Sequence, residues 1–463
     1  MKLSWFFSQF TLIVGFLLAT LLIAQIIRQR RSPSVTIAWL MVIVLMPYIG
    51  VPLYLLFGGR KINRIVKSKA NIELPENYTL EEEKTTEIDR ILRSYGIPGA
   101  TVGNSVTLNR TGEDGYRALV KLIEEAAESI YIATFILHMD EVGAEIVRLL
   151  TKRASEGVEV CVLMDGVGSM HTSRRSLRKL VKAGGRIAYF MPVIHRPFRG
   201  RTNLRNHRKI VIADQKRVIA GGTNISSEYI GPTPKPGRWH DISFTLEGPA
   251  VKHYAEVFRS DWKFATGERI DLNSDGAQPV CDDGQGAIVQ IIPSGPDVKG
   301  DPLYYSIISA AFAAKDRLWV ITPYFVPDET LMQALILAVH RGVDVRILVP
   351  DKSNHRVADL ARDTYMRTLQ AEGGTIQLYT AGMMHAKIMI MDYELAMIGS
   401  ANMDIRSLFL NYETAMFVYS KPEIQATEAW VEQLAKDTRI GVEDVGAFRD
   451  IIEGVVRMIA PLL

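Results

Sequence analysis

The sequence predicts a duplicated α/β protein carried behind a pair of membrane-spanning helices. Three observations support this: two long apolar runs near the amino terminus, alternating helical and strand patterns through the rest of the chain, and an internal repeat with a period of roughly 180 residues. The chain has 463 residues, of which 48% are apolar and 23% charged. That profile excludes a disordered, collagen-like or solenoid protein, and the length allows about three domains.

The first apolar run extends from Trp5 to Ile27 and the second from Val35 to Phe57, each of 23 uncharged residues. As a helix each would be about 34 Å long, enough to cross a hydrocarbon core of about 30 Å. A cleaved signal peptide fits the first run poorly, because the apolar stretch is too long and no small-residue cleavage site follows. Pro47, Gly50 and Pro52 lie in the second run and predict a kink or re-entry. The connection RQRR holds three arginines, while the outer flanks hold Lys2, Arg60, Lys61, Arg64, Lys67 and Lys69. The larger flank count favours a cytoplasmic body, whereas dominance of the first helix would favour the opposite side. The reading adopted is a multi-pass membrane protein with its body on the cytoplasmic face.

The net charge of +3 arises in the anchor: residues 1–59 hold Lys2, Arg28, Arg30 and Arg31 without an acid, so the 54 basic residues leave 50 against 51 acidic in the remainder. A balanced body argues against a nucleic-acid partner. Cys161 and Cys281 are the only cysteines and lie in no CxxC or Cys/His spacing, so neither a disulfide framework nor structural zinc is expected. An acid-rich stretch around Glu73–Glu87 reads as a linker plus helix. Beyond it, AAESIYIATFIL from Ala126 pairs with AAKDRLWVITPYF from Ala313, and SEGVEVCVLMD, ending at Asp165, pairs with HRGVDVRILVPD, ending at Asp351.

The same offset aligns HRKIVIADQKRVIAGGTN, from His207 to Asn224, with HAKIMIMDYELAMIGSAN, from His385 to Asn402. Both fit H-x-K-x4-D-x6-G-[GS]-x-N. On a strand, His207 and Lys209 share one face, as do His385 and Lys387. Each half therefore presents an imidazole beside an ammonium. Asn224 and Asn402 follow glycines that let the backbone approach a ligand closely. Lysine, asparagine and backbone donors suit an anionic phosphoryl group, and histidine can serve as nucleophile or general acid. Two half-sites face to face would place two imidazoles on opposite sides of one phosphorus. Asp214 and Asp392 belong to the repeated pattern and are counted with its catalytic residues, although aspartate at such turns also closes local backbone. Asp241 in RWHD and Glu413 in NYE are candidates to orient the histidines through Nδ1. His138, His171, His195 and His355 lie near strand ends or adjoining loops, where they could line the site, but they read first as surface polar groups. No His/Asp/Glu spacing suggests a metal, and no cofactor is expected.

These paired motifs resemble the HKD signatures of the phospholipase D superfamily. RNHRKIVIAD, GGTNISSEY, RWHDISFTLEGPAV, FRSDW, ITPYFVPDE, RGVDVRILVPD, SANMDIRSLFLNYE and the terminal IAPLL, with the amino-terminal apolar pair, look like bacterial cardiolipin synthases. The resemblance implies two tandem α/β sandwich domains with pseudo-twofold symmetry and the site at their interface. Its boundaries here are 1–59 for the helices, 60–98 for a linker, 99–280 for the first domain and 281–463 for the second. It implies location in the bacterial inner membrane and transfer of a phosphatidyl group from one phosphatidylglycerol to another through a phosphatidyl-histidine. His207 would be the nucleophile and His385 the acid and base, with Lys209, Lys387, Asn224, Asn402 and Ser400 on the phosphoryl oxygens. The first motif has Gly222 where the second has Ser400, so one hydroxyl donor is missing there. A membrane-anchored hydrolase, another phosphatidyltransferase or a nuclease of the superfamily, and an inactive membrane scaffold, are the alternatives.

Overall fold

The computed structural model describes residues 20, 22–24, 26, 33–48, 50–51, 54, 69–76, 79–80, 86–191, 204–272, 277–281 and 286–459. Most of the first apolar run and much of the second run's carboxy-terminal part lie outside these residues, as does His195. Among the described residues no helix is long and apolar enough to cross a membrane. A 13-residue apolar helix, Pro33–Leu45, is present. It stops two residues before Pro47, where the missing N–H and the ring's clash with the preceding turn interrupt helical bonding. Residues 1–68 with 194–203 form one compact unit, in which Leu22, Ile26, Ile43, Val51 and Tyr54 are buried together.

Residues 69–193 with 204–463 form the other unit. Its first half contributes strands β1 (Thr101–Asn109), β2 (Ser129–Thr134), β3 (Glu159–Asp165), β4 (Arg186–Phe190), β5 (Ile210–Ala213), β6 (Arg217–Gly221) and β7 (Ser243–Glu247). The second half contributes β8 (Ala287–Ser294), β9 (Arg317–Ile321), β10 (Phe325–Val326), β11 (Asp344–Pro350), β12 (Thr375–Tyr379), β13 (Ile388–Met391), β14 (Leu395–Gly399), β15 (Met403–Asp404), β16 (Glu413–Val418) and β17 (Thr438–Ile440). The main sheet runs β4-β3-β2-β5-β6-β7-β1-β8-β16-β14-β13-β9-β11-β12-β17. With β17 set aside, this order is a palindrome about the antiparallel junction of β1 with β8. The repeat seen in the sequence is thus a repeat of strand order: β2 corresponds to β9, β3 to β11, and β5–β6 to β13–β14.

Each half combines the two connection types its sequence calls for. β2, β3 and β4 run parallel, which requires crossovers, and the helices Glu141–Ser155 and Arg178–Lys182 supply them. β5 and β6 are antiparallel and joined by a tight turn. Every residue of β5 and of β13 is buried, so these motif strands are central and rigid. Two apolar cores result, one in each half. The described part of the expected linker is more than a tether. Its helix Glu87–Ser94 is capped by Thr86 and packs Ile88 and Leu92 into the second-half core.

Candidate active site

β5 and β13 carry the chemistry just before their first residues. Two short parallel bridges, Asn206 with Tyr412 and His240 with Met384, link the halves. They occupy equivalent places in the repeat, and in each the residue following one partner is a motif histidine while the residue following the other is a carboxylate. The outcome is a crossed pairing. His207, from the first half, has its Nδ1 at 3.0 Å from Glu413 Oε1 of the second. His385, from the second half, has its Nδ1 at 2.7 Å from Asp241 Oδ2 of the first. Neither half therefore contains a complete histidine–carboxylate pair.

The two Nδ1 atoms differ in their other neighbours. Around Nδ1 of His207 both partners are acceptors, the Glu413 carboxylate and the Ser400 carbonyl at 3.2 Å. The proton is therefore fixed on Nδ1, and Nε2 keeps its lone pair. Nδ1 of His385 has Asp241 on one side and Lys387 Nζ at 2.8 Å on the other. That nitrogen touches both an acid and a base. Lys209 Nζ donates to the His207 carbonyl at 2.8 Å, and Lys387 makes the matching bond to the His385 carbonyl.

Burial governs the electrostatics. It pushes Lys209 down to about 7 and Lys387 down to about 8, and it pushes Asp241 up to about 6. His207 is lowered by burial and by nearby Lys209 and Lys387, against the pull of Glu413. His385 is lowered well below its ordinary value, by burial first, then by Lys387, Lys209 and His207. Both histidines thus feel the charge of both lysines, and Lys209 that of Lys387, as expected for groups sharing one small site. Glu413 is also pushed up by burial, but His207, Lys209 and the Ser400 hydroxyl outweigh that and hold it below the ordinary carboxylate range.

Several expected residues do other work. Asp214 and Asp392 are bound to backbone away from the histidines. Each sits at the far end of its strand from the histidine, seven residues or about 23 Å along an extended chain. Asp214 accepts from the backbone N–H groups of Ala127, Glu128 and Ser129 at 2.7–2.9 Å. Asp392 accepts from those of Lys315, Asp316 and Arg317. Both have positive φ, 52° and 49°, a conformation aspartate tolerates by bonding locally. They tie the hairpins to the starts of β2 and β9. Ser400 is also reassigned: its hydroxyl donates to Glu413 Oε2 at 2.5 Å and so holds the carboxylate. The Asn224 carbonyl oxygen accepts from the Ile136 N–H at 3.1 Å, and its side chain is also bonded to that of Tyr229.

Other important residues escaped the sequence reading. Arg208 points to the opposite face of the strand from His207 and Lys209. It is fully buried and pairs with Asp261 at 2.7 Å and Asp297 at 3.1 Å. Lys69 is buried in the same cluster, 2.5 Å from Asp261 and also paired with Asp297. Two cations and two carboxylates make it electrically neutral. Tyr229 and Trp239 pack their rings 5.1 and 5.3 Å from His385. A cleft of about 390 Å³ opens in front of His207 and is also lined by Asn402 and by exposed His355. Among the described residues no cluster of His, Cys, Asp and Glu is arranged to hold a metal. Strand alternation could have singled out Arg208, but its partners lie 53 and 89 residues away.

The chain is similar to known proteins over most of its length. Residues 119–262 and 307–435 match the family described as "Cardiolipin synthase, PLD-like domain". Residues 17–59 match the one described as "Phospholipase D-nuclease N-terminal". The chain is 33% identical to a cardiolipin synthase of Clostridium perfringens, over 94% of this chain and 95% of that one. It is 34% identical to one of Halalkalibacterium halodurans, over 94% and 90%. Among solved structures, a phosphatidylserine synthase of Haemophilus influenzae superposes with a TM-score of 0.59 at 16% identity, covering 81% of this chain and 98% of that one, a likeness of fold. With two histidine–lysine half-sites completed by carboxylates from opposite halves, and with matches of this length and identity, the chain belongs to the cardiolipin synthase family of phospholipase D-like proteins.

Proposed function

We propose that this protein is a membrane-anchored phosphatidyltransferase that joins two phosphatidylglycerol molecules into cardiolipin and releases glycerol. The observation that carries the proposal is the crossed pairing of His207 with Glu413 and of His385 with Asp241. It provides two oriented imidazoles in one site, as a double displacement at phosphorus requires. The difference between the two Nδ1 environments supports the division of labour. His207, locked as the Nδ1–H tautomer and facing the cleft, is the nucleophile through Nε2. His385, with Asp241 and Lys387 both on Nδ1, can take up and release protons, so it protonates the departing glycerol oxygen and later deprotonates the incoming hydroxyl. An entering phosphodiester anion raises the proton affinity of both imidazoles and both amines. Lys209, Lys387 and the amide nitrogens of Asn224 and Asn402 bind the phosphoryl oxygens.

The two apolar runs at 5–27 and 35–57 anchor the enzyme in the bacterial inner membrane, with residues 99–280 and 281–463 as the paired catalytic halves on the cytoplasmic side. The test is lipid analysis of purified protein given labelled phosphatidylglycerol. Cardiolipin and free glycerol are expected in equal amounts, and His207→Ala and His385→Ala should each lower the rate by several orders of magnitude. Phosphatidic acid as the main product would establish a hydrolase instead. Cardiolipin at the normal rate from either variant would remove that histidine from the mechanism.

A further inference from the structure

Beyond the donors assigned to the transferred phosphoryl group, the cleft before His207 carries further cations and acceptor atoms. Arg205, Arg356 and Arg406 line it, against the single carboxylate of Asp404. Arg205 lies 3.5 Å from buried Asp165, behind the wall, and Arg205 and Arg406 are close enough for the charge of one to disfavour that of the other. Arg356 is exposed and opens the 16-residue helix Arg356–Ala371, whose N-cap His355 makes no capping side-chain bond. The first N–H groups and the helix dipole there also favour an anion. Asn402 and Asn411, 5% and 8% exposed, line the same cleft. The Oδ1 atom of each lacks a hydrogen-bond partner among the described residues. The cleft thus offers cations for an anion together with buried acceptors for hydroxyl groups.

A glycerophosphate headgroup has that composition: one phosphodiester anion and two hydroxyls. We propose that this cleft is the acceptor site, with Arg205, Arg356 and Arg406 holding the phosphate of the second phosphatidylglycerol and Asn402 and Asn411 placed to accept from the glycerol hydroxyl that does not attack. The inference rests on the phosphatidyltransferase reading above and adds the determinant of its acceptor. Only a three-carbon glycerol separates the acceptor's phosphate from the hydroxyl that attacks, so the second anion must sit beside His207, on the cleft wall. The hydroxyl oxygen forms the new P–O bond as the P–N bond to Nε2 of His207 breaks, and the hydroxyl proton passes to His385. Binding of the remote phosphate is what positions that hydroxyl.

The test compares two acceptors that share one donor. Full-length protein in detergent micelles forms cardiolipin from phosphatidylglycerol and also exchanges labelled free glycerol into phosphatidylglycerol, a transfer to an acceptor without phosphate. Arg406→Gln and Arg356→Ala should each lower the ratio of cardiolipin formed to glycerol exchanged by about tenfold, the value of one charge-assisted hydrogen bond. An unchanged ratio overturns the acceptor site, whether both rates fall together or neither falls. If Arg406→Gln does not fold, Arg356→Ala decides the matter, because that side chain is exposed and has no ion pair among the described residues. Wild-type protein that exchanges glycerol without making cardiolipin would instead refute the function on which the inference rests.

Discussion

At Nδ1 of His385 an acid and an amine meet, and their shifted ionisation sets the pH response. Asp241, raised to about 6 by burial, must be ionised to accept from the imidazole, so activity falls as pH drops through that value. Lys209 and Lys387, lowered to about 7 and about 8, must be protonated to bind the phosphoryl oxygens, so activity falls again as pH rises through those values. The predicted kcat/KM profile is a narrow bell between about 6 and 7, falling more steeply above about 8, with a flatter alkaline limb in kcat because bound phosphodiester restores the ammonium form. A kcat/KM unchanged between pH 5 and 9 would refute these assignments. Gly222 gives a second prediction. A Cβ there would stand 2.4 Å from Asp241 Oδ1, so Gly222→Ala should displace the carboxylate and cost about 100-fold in kcat/KM, measurable in steady-state assays on folded protein. In the sequence Gly222 looked like a missing hydroxyl donor. The reason for the glycine is a packing contact between residues 19 positions apart in the sequence, which a linear pattern does not display. The turn contacts of Asp214 and Asp392 were legible from their place after each strand.

The motif strand is the element that joins chemistry to stability. Its two-residue periodicity sends His207 and Lys209 to the site and Arg208 to the buried cluster with Asp261, Asp297 and Lys69. Arg208→Ala would leave two buried carboxylates with one cation, a loss expected to cost about 3–5 kcal/mol, readable as a lowered denaturation midpoint. Loss of activity should accompany it, since Arg208 also donates from Nε to the Glu413 carbonyl at 3.1 Å. An unchanged midpoint would show that the cluster does not hold the strand in place. The face shared by His207 and Lys209 was readable from sequence because alternation is local. The tetrad was not, because it gathers residues from four distant segments, including Lys69 from a stretch that reads as a polar linker.

At the scale of the whole molecule, duplication was legible in the matched segments, and the palindromic order of strands is its structural form. The exchange of carboxylates between halves was not legible, because the sequence offered Asp241 and Glu413 without assigning either to a histidine. The bridges Asn206 with Tyr412 and His240 with Met384 make that assignment. The most direct test of a two-half site with His207 as nucleophile is to identify the covalent adduct. His385→Ala should be treated with a labelled phosphatidyl ester of p-nitrophenol, whose leaving group needs no proton, and the labelled peptide mapped by mass spectrometry. The account predicts one phosphatidyl group on His207 in this variant and none in His207→Ala. Label on His385 in the His207→Ala variant, with none on His207 in the His385→Ala variant, would contradict it.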